Sequence, residues 1–123
     1  MKKKCVLILG GSSDIGINLI NKYINEGWNV ICHYNQNSLK IRKLKKIYKK
    51  ELSLYKANFD NENSVNKFIN FLRKYKIHSM INLVGYLDNI SFKNTSVKSL
   101  YKSLKINSLV PLIIQKNILK KMI

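Results

Sequence analysis

Acidic residues are the scarcest chemistry in this chain: six stand against 23 lysines and arginines, giving a formal net charge of +17. Arginine is nearly missing too, with Arg42 and Arg73 the only examples. Proteins that read nucleic acid favour arginine, whose planar fork makes bidentate contacts to phosphate and base. Here the charge is carried by lysine, in a chain where asparagine and isoleucine are also abundant from end to end. The lysines are scattered, densest at Lys40, Lys43, Lys45, Lys46, Lys49 and Lys50. A bias in composition accounts for them, and they read as a solvated face, since net charge speaks to solubility and not to fold. Nucleic acid is not the expected partner.

Cysteine is sparse as well. Cys5 and Cys32 form no C-x-x-C pair, and His33 and His78 stand alone, so no metal centre is expected. Both cysteines fall in strand-like runs and read as small buried hydrophobes, in keeping with a reducing, cytoplasmic setting. No run approaches the roughly 18 apolar residues of a membrane span. The basic start at Lys2–Lys4 imitates a signal peptide, but Cys5–Leu9 is shorter than the roughly 7–15 apolar residues such a peptide needs. Linkers, repeats and low-complexity tracts are missing, and 123 residues suit one domain, 1–123.

What is present is a regular alternation. Strand-like runs sit at Cys5–Leu9, Asn29–Tyr34, Leu52–Ala57 and Ser79–Val84. Helical patterns separate them. The first runs from Ile15 to about Asn25, with Ile15, Leu19, Ile20, Tyr23 and Ile24 on one face and Gly27 as its stop. The second covers Ser38–Lys50, with a narrow stripe of Leu39, Leu44, Ile47 and Tyr48. The third follows Asp60-Asn61-Glu62 and spaces Val65, Phe68, Ile69 and Leu72 for burial. A fourth spans Ser96 to the end, where Pro111 should kink or divide it. Four βα units in a row predict an α/β fold with a parallel sheet and helices on both faces. A strand order of 3-2-1-4 would leave the fourth strand as an open edge.

The first βα junction, Leu7-Ile8-Leu9-Gly10-Gly11-Ser12-Ser13-Asp14-Ile15-Gly16, carries the most chemistry. A strand that ends in glycines and passes at once into a helix aims backbone N–H groups at a phosphate. The P-loop pattern fails, because Ile17 and Asn18 stand where its lysine and hydroxyl belong. The G-x-G-x-x-G fingerprint fails at Ser12. A wider loop remains, with its outer glycines at Gly10 and Gly16.

In this loop the sequence resembles the short-chain dehydrogenase/reductase family, in its compact, 3-oxoacyl-reductase-like subtype. That family opens with T-G-x-x-x-G-I-G; Gly10, Ile15 and Gly16 match, Ser12-Ser13 matches a common pair, while Leu9 and Asp14 depart. Asn58-Phe59 stands where the family has an Asp and an apolar residue against the adenine. Asn82-Leu83-Val84-Gly85 stands at its N-N-A-G, and Asn107 at the Asn of its catalytic group. The resemblance covers essentially the whole chain but only the family's N-terminal half. It implies a Rossmann-like doubly wound sheet that lacks the C-terminal half of the fold. It also implies a nicotinamide cofactor, a carbonyl or alcohol substrate, and a homo-oligomer when the protein is complete. Gly10, Ser12, Ser13, Ile15 and Gly16 would cradle the pyrophosphate, with Ser12 or Ser13 alternatively an ordinary helix cap. Tyr34 and Asn35 would flank the adenosine ribose, Asn58 and Phe59 the adenine, and Asn82, Leu83, Val84 and Gly85 the nicotinamide side.

Cofactor choice is read at the end of the second strand, where an acid would bond both ribose hydroxyls and repel a 2′-phosphate. His33-Tyr34-Asn35-Gln36-Asn37 contains none, and Lys40 and Arg42 follow. NADP(H) is therefore expected over NAD(H). The family's proton-transfer pair is Tyr-x-x-x-Lys, one helical turn apart, with a Ser beside it. Tyr101 and Lys105 have that spacing but precede Asn107, whereas the family's motif follows it. The catalytic Ser, Tyr and Lys would lie past Ile123, and this chain alone is expected to be inactive. The alternatives are a non-catalytic dinucleotide-binding or interaction module and, further off, a lysine-rich nucleic-acid binder.

Overall fold

The structure, a computed structural model, describes residues 2–122. Four strands, β1 (Cys5–Leu9), β2 (Asn29–Tyr34), β3 (Leu52–Lys56) and β4 (Ser79–Asn82), form one parallel sheet in the order β3-β2-β1-β4. The helices between them are α1 (Asp14–Asn25), α2 (Leu39–Ile47) and α3 (Glu62–Leu72). The last helical stretch comprises α4 (Val97–Leu104), a wide π-type turn over Lys105–Leu109, and α5 (Val110–Met122).

The period-two alternation of β1 divides the core. Cys5, Leu7 and Leu9 face α3 and α5, packed with Phe68, Ile69, Leu72, Ile114 and Ile118. Val6 and Ile8 face the opposite way, with Ile20 of α1, Ile41 of α2 and Cys32 of β2. All five β1 side chains are buried, as a central parallel strand covered on both faces requires. Each such aliphatic side chain contributes about 1.5–3 kcal/mol of transfer free energy.

The helices start where their caps allow. Ser13 Oγ accepts from Gly16 N at 3.2 Å and opens α1. Asn61 Oδ1 does the same for α3, from Ser64 N at 2.9 Å. Gly27, at φ 88°, takes the left-handed conformation that ends α1.

The departures from expectation have local causes. Ile15 is 64% exposed and Gly16 takes its place on the inner face of α1, while Ile20 is buried and Leu19, Tyr23 and Ile24 pack beside it as expected. In α2 the buried residue is Ile41, while Leu39 and Ile47 point outward; Tyr48 ends the helix three residues before the expected close. β4 stops at Asn82, not Val84, because Asn82 Oδ1 accepts from Val84 N at 3.0 Å and turns the chain. Pro111 acts upstream of itself: without an N–H for the Asn107 carbonyl, it widens the helix at 105–109 and leaves α5 to run on. Among the described residues, β4 has a strand partner on one side only.

Candidate functional site

The strand order reverses between β1 and β4, and a parallel sheet splits open there at its carboxyl ends. A cleft of about 530 Å³ occupies that point. One wall is the glycine-rich turn, another the chain after β2, a third the chain after β3, and the last the β4 end with α4.

Glycine at position 10 is dictated by packing. Its φ is +71°, and a Cβ there would lie 3.0–3.1 Å from the backbone of Leu83 and Val84. The turn after β1 thus presses directly on the chain after β4. Only a residue without a side chain permits that approach.

His33 is the one buried polar side chain among the described residues, at 3% exposure. Gly10 N donates to its Nδ1 at 3.0 Å, and its Nε2 lies 2.8 Å from the Ala57 carbonyl. Its own carbonyl accepts from Gly11 N at 2.9 Å. The ring stacks on Phe59, with centroids 4.2 Å apart. Burial pushes its pKa down from 6.5 to about 4, only partly opposed by the bond to Ala57. Since the unfolded chain takes up that proton first, the neutral ring's contribution to stability is complete above pH 6.5 and is lost as pH falls toward about 4.

At the outer lip, Lys40 Nζ meets Asp14 Oδ1 at 2.5 Å. The Lys40 ammonium holds the Asp14 carboxyl below its ordinary value. Both groups are well exposed, so the pair adds little to stability. Its effect is to offset the one negative charge at the start of α1.

Asn107 projects from the π-type turn to the β4 end. Its Oδ1 accepts from Tyr86 N at 2.6 Å and its Nδ2 donates to Tyr86 O at 2.9 Å. This clamp fixes the chain immediately after Gly85. Asn107→Ala strands both backbone groups of Tyr86 and is expected to cost about 1–3 kcal/mol. A urea titration should show a lower midpoint with unchanged slope; an unshifted midpoint would mean that water replaces the clamp.

Of the residues singled out in the sequence, Gly10, Ser12, Ser13, Asn35, Asn58, Phe59, Leu83, Val84 and Gly85 line the cleft. Some do so with their groups already engaged. Ser13 Oγ is the α1 cap, Asn58 Oδ1 accepts from Asp60 N at 2.9 Å, and Phe59 is a buried floor under His33. Ile15, Gly16, Tyr34, Asn82 and Asn107 are outside the lining. Ile15 turns to solvent, and Gly16 is buried against Gly11. Tyr34 packs with the α1–α2 side of the core, and Asn82 caps its own turn. His33, Gln36, Asn37, Ala57 and Lys102 line the cleft without having been singled out. The isolated-histidine reading of His33 missed its role because Gly10 and Ala57 are neighbours only in the folded sheet.

The short chain dehydrogenase family model matches residues 4–123. The chain belongs to that family. No curated protein matches the sequence significantly. Among solved structures it is similar to a short-chain dehydrogenase from Streptomyces avermitilis, with TM-score 0.86, 16% identity, 99% of this chain and 45% of that one. It is also similar to the bulky-bulky ketone specific alcohol dehydrogenase from Comamonas testosteroni, with TM-score 0.82, 18% identity, 96% and 49%. A further solved dehydrogenase is 25% identical at TM-score 0.80, over 98% and 47%. The chain spans about half the length of these dehydrogenases. Tyr101, spaced from Lys105 like the family's proton-transfer pair, is 71% exposed on α4, and Lys105 is tied to Asp60 at 3.7 Å. No helix among the described residues is long and apolar enough to cross a membrane.

Proposed function

We propose that the cleft binds NADP(H) and that this chain supplies the cofactor-binding part of a reductase acting on a carbonyl or alcohol substrate. The nicotinamide, when bound, supplies the hydride. The observation that carries the reading is the glycine-rich turn seated at the reversal of strand order, facing Leu83–Gly85 across a cleft of about 530 Å³.

Each wall has a part. The first-turn N–H groups of α1, at Asp14 and Ile15, have no acceptor within the helix and suit a pyrophosphate. Ile15 thus contributes backbone, not side chain. Gly16 supports that turn from below, and Ser12 adds a hydroxyl at the lip. Asn35, Gln36 and Asn37 line the place where an acid would repel a 2′-phosphate, and Lys40 stands near at Asp14. Asn58 retains its amide N–H₂ for an adenine, with Phe59 and His33 beneath. Leu83 to Gly85 give the nicotinamide a mostly apolar wall, held in place by Asn107 through Tyr86. The proton-transfer residues lie outside this set, so binding without turnover is the expected behaviour of the purified chain. Leu100, Leu104, Leu109 and Leu112 are exposed along α4, the π-type turn and α5, which supports association with a second copy in the complete protein.

A calorimetric titration tests the cofactor. NADPH is expected to bind at least about tenfold more tightly than NADH, or roughly 1.4 kcal/mol. Equal affinities, or a preference for NADH, would overturn the choice of cofactor.

A further inference from the structure

We propose that His33 is a positioning residue for dinucleotide binding: one neutral ring fixes the glycine-rich turn to the chain after β3 and so sets the spacing between the pyrophosphate and adenine subsites. This inference rests on the proposed NADP(H) site. It concerns a residue that touches the cofactor's two anchors and acts through them.

The geometry admits one chemical form of the ring. Gly10 N–H points at Nδ1 from 3.0 Å, so Nδ1 must be the bare acceptor nitrogen. The proton then resides on Nε2, which donates to the Ala57 carbonyl at 2.8 Å. Gly11 N–H closes on the His33 carbonyl, so the turn is held by backbone and side chain of the same residue. Ala57 directly precedes Asn58 and Phe59, and Phe59 stacks on the ring. A movement of the ring would shift the turn and the adenine wall together.

A second proton on the ring would set two donors, Nδ1–H and Gly10 N–H, against each other. The surroundings offer the resulting cation no carboxylate. Gly10, Ala57, Phe59 and Phe68 face the ring from the turn, the chain after β3, and α3. Tyr55 stands opposite on β3, and the Cys32 thiol is turned to the other face of the sheet. Asp60 and Lys102 line the same cleft. Burial already holds the ring neutral down to about pH 4. Cofactor binding should therefore survive to mildly acid pH and fail steeply where the ring takes its second proton.

Two measurements on the full chain test this. Long-range ¹H–¹⁵N spectra of the imidazole, recorded without cofactor, should show His33 as the Nε2–H tautomer at neutral pH. Calorimetry with NADP⁺, which survives acid, should show His33→Phe binding about tenfold or more weakly than the parent at neutral pH. His33→Asn keeps an acceptor for Gly10 and should stay within about threefold of the parent, while losing the parent's extra drop in affinity below about pH 5. An Nδ1–H tautomer overturns the proposal. So does a folded His33→Phe chain that binds like the parent. Should His33→Phe fail to fold, an acid profile of His33→Asn identical to the parent's overturns it, and a flattened one supports it. A parent chain that binds neither dinucleotide strikes the proposed function instead, and the tautomer then decides the inference.

Discussion

Gly16→Ala is expected to break the first βα junction and abolish dinucleotide binding, although alanine is the better helix former. A Cβ at this position would lie 2.3 Å from Gly11 O, 2.5 Å from Gly11 C and 2.6 Å from Gly11 Cα. Every one of these neighbours is backbone, so no flexible side chain can yield. Ala gains about 1 kcal/mol over Gly inside a helix. That gain is outweighed, because the clash exceeds the ordinary overpacking that costs about 1–3 kcal/mol. Relief requires α1 to lift from the turn, and lifting it uncovers Ile20 and the core below. A net loss of about 3 kcal/mol or more is expected, or a fall of roughly 10–20 °C in Tm for a chain of this size. Gly85→Ala is the contrast, since nothing lies within 4 Å of its Cβ and its stability should be unchanged. A Gly16→Ala chain that melts with the parent would show that the junction is looser than drawn.

Phe68→Ala should remove a comparable share of the stability by the opposite means, an empty space. Phe68 is fully buried on α3 and is the largest such side chain. Its ring lies 5.1 Å from Tyr55, 5.3 Å from His33 and 6.3 Å from Phe59. Truncation of a buried Phe costs about 3–5 kcal/mol, because transfer free energy and cavity add. Aromatic pairs contribute about 0.5–1.5 kcal/mol beyond area, and Phe68 loses three together. Native domains hold only about 5–15 kcal/mol in all, so this change approaches half of it. Urea unfolding would read the loss as a shift in midpoint at constant slope. A loss below about 2 kcal/mol would mean that α3 collapses onto the sheet and fills the gap.

The sheet was legible in the sequence because parallel strands covered on both faces show as short unbroken apolar runs. Cys5–Leu9 is the clearest, and its bounds are those observed. The repeated βα unit gave the parallel sheet, and the observed order β3-β2-β1-β4 is the one the Rossmann-like reading implied. Helix faces were read less well where the pattern was thin. On α2 the choice between Leu39 and Ile41 turns on a rotation of about 200° at two residues' separation, and lysines on every side leave no gradient to orient it. On α1 the glycine at 16 carries no hydrophobic signal, yet it faces inward together with Ile20. The π-type turn was invisible for another reason: Pro111 announces a defect, but its effect falls on the carbonyl of Asn107, four residues earlier. In the cleft, the glycine-rich turn was legible from its place between strand and helix, and Asn58 and Gly85 only through the family resemblance. His33 was not, for its partners lie 23 and 24 residues away in sequence.

The place of β1 in the middle of the sheet has a bearing on how the chain folds. The strand β1 pairs with β2 and also with β4, and Cys5 N reaches His78 across 73 residues. Its β2 side can close after one helix, whereas its β4 side must wait for three. Each such long closure costs entropy before any contact repays it, which slows parallel topologies relative to helical ones. Until Ser79–Asn82 arrive, one flank of Val6–Leu9 stays unpaired beside the glycine-rich turn. The cleft is thus among the last features to form.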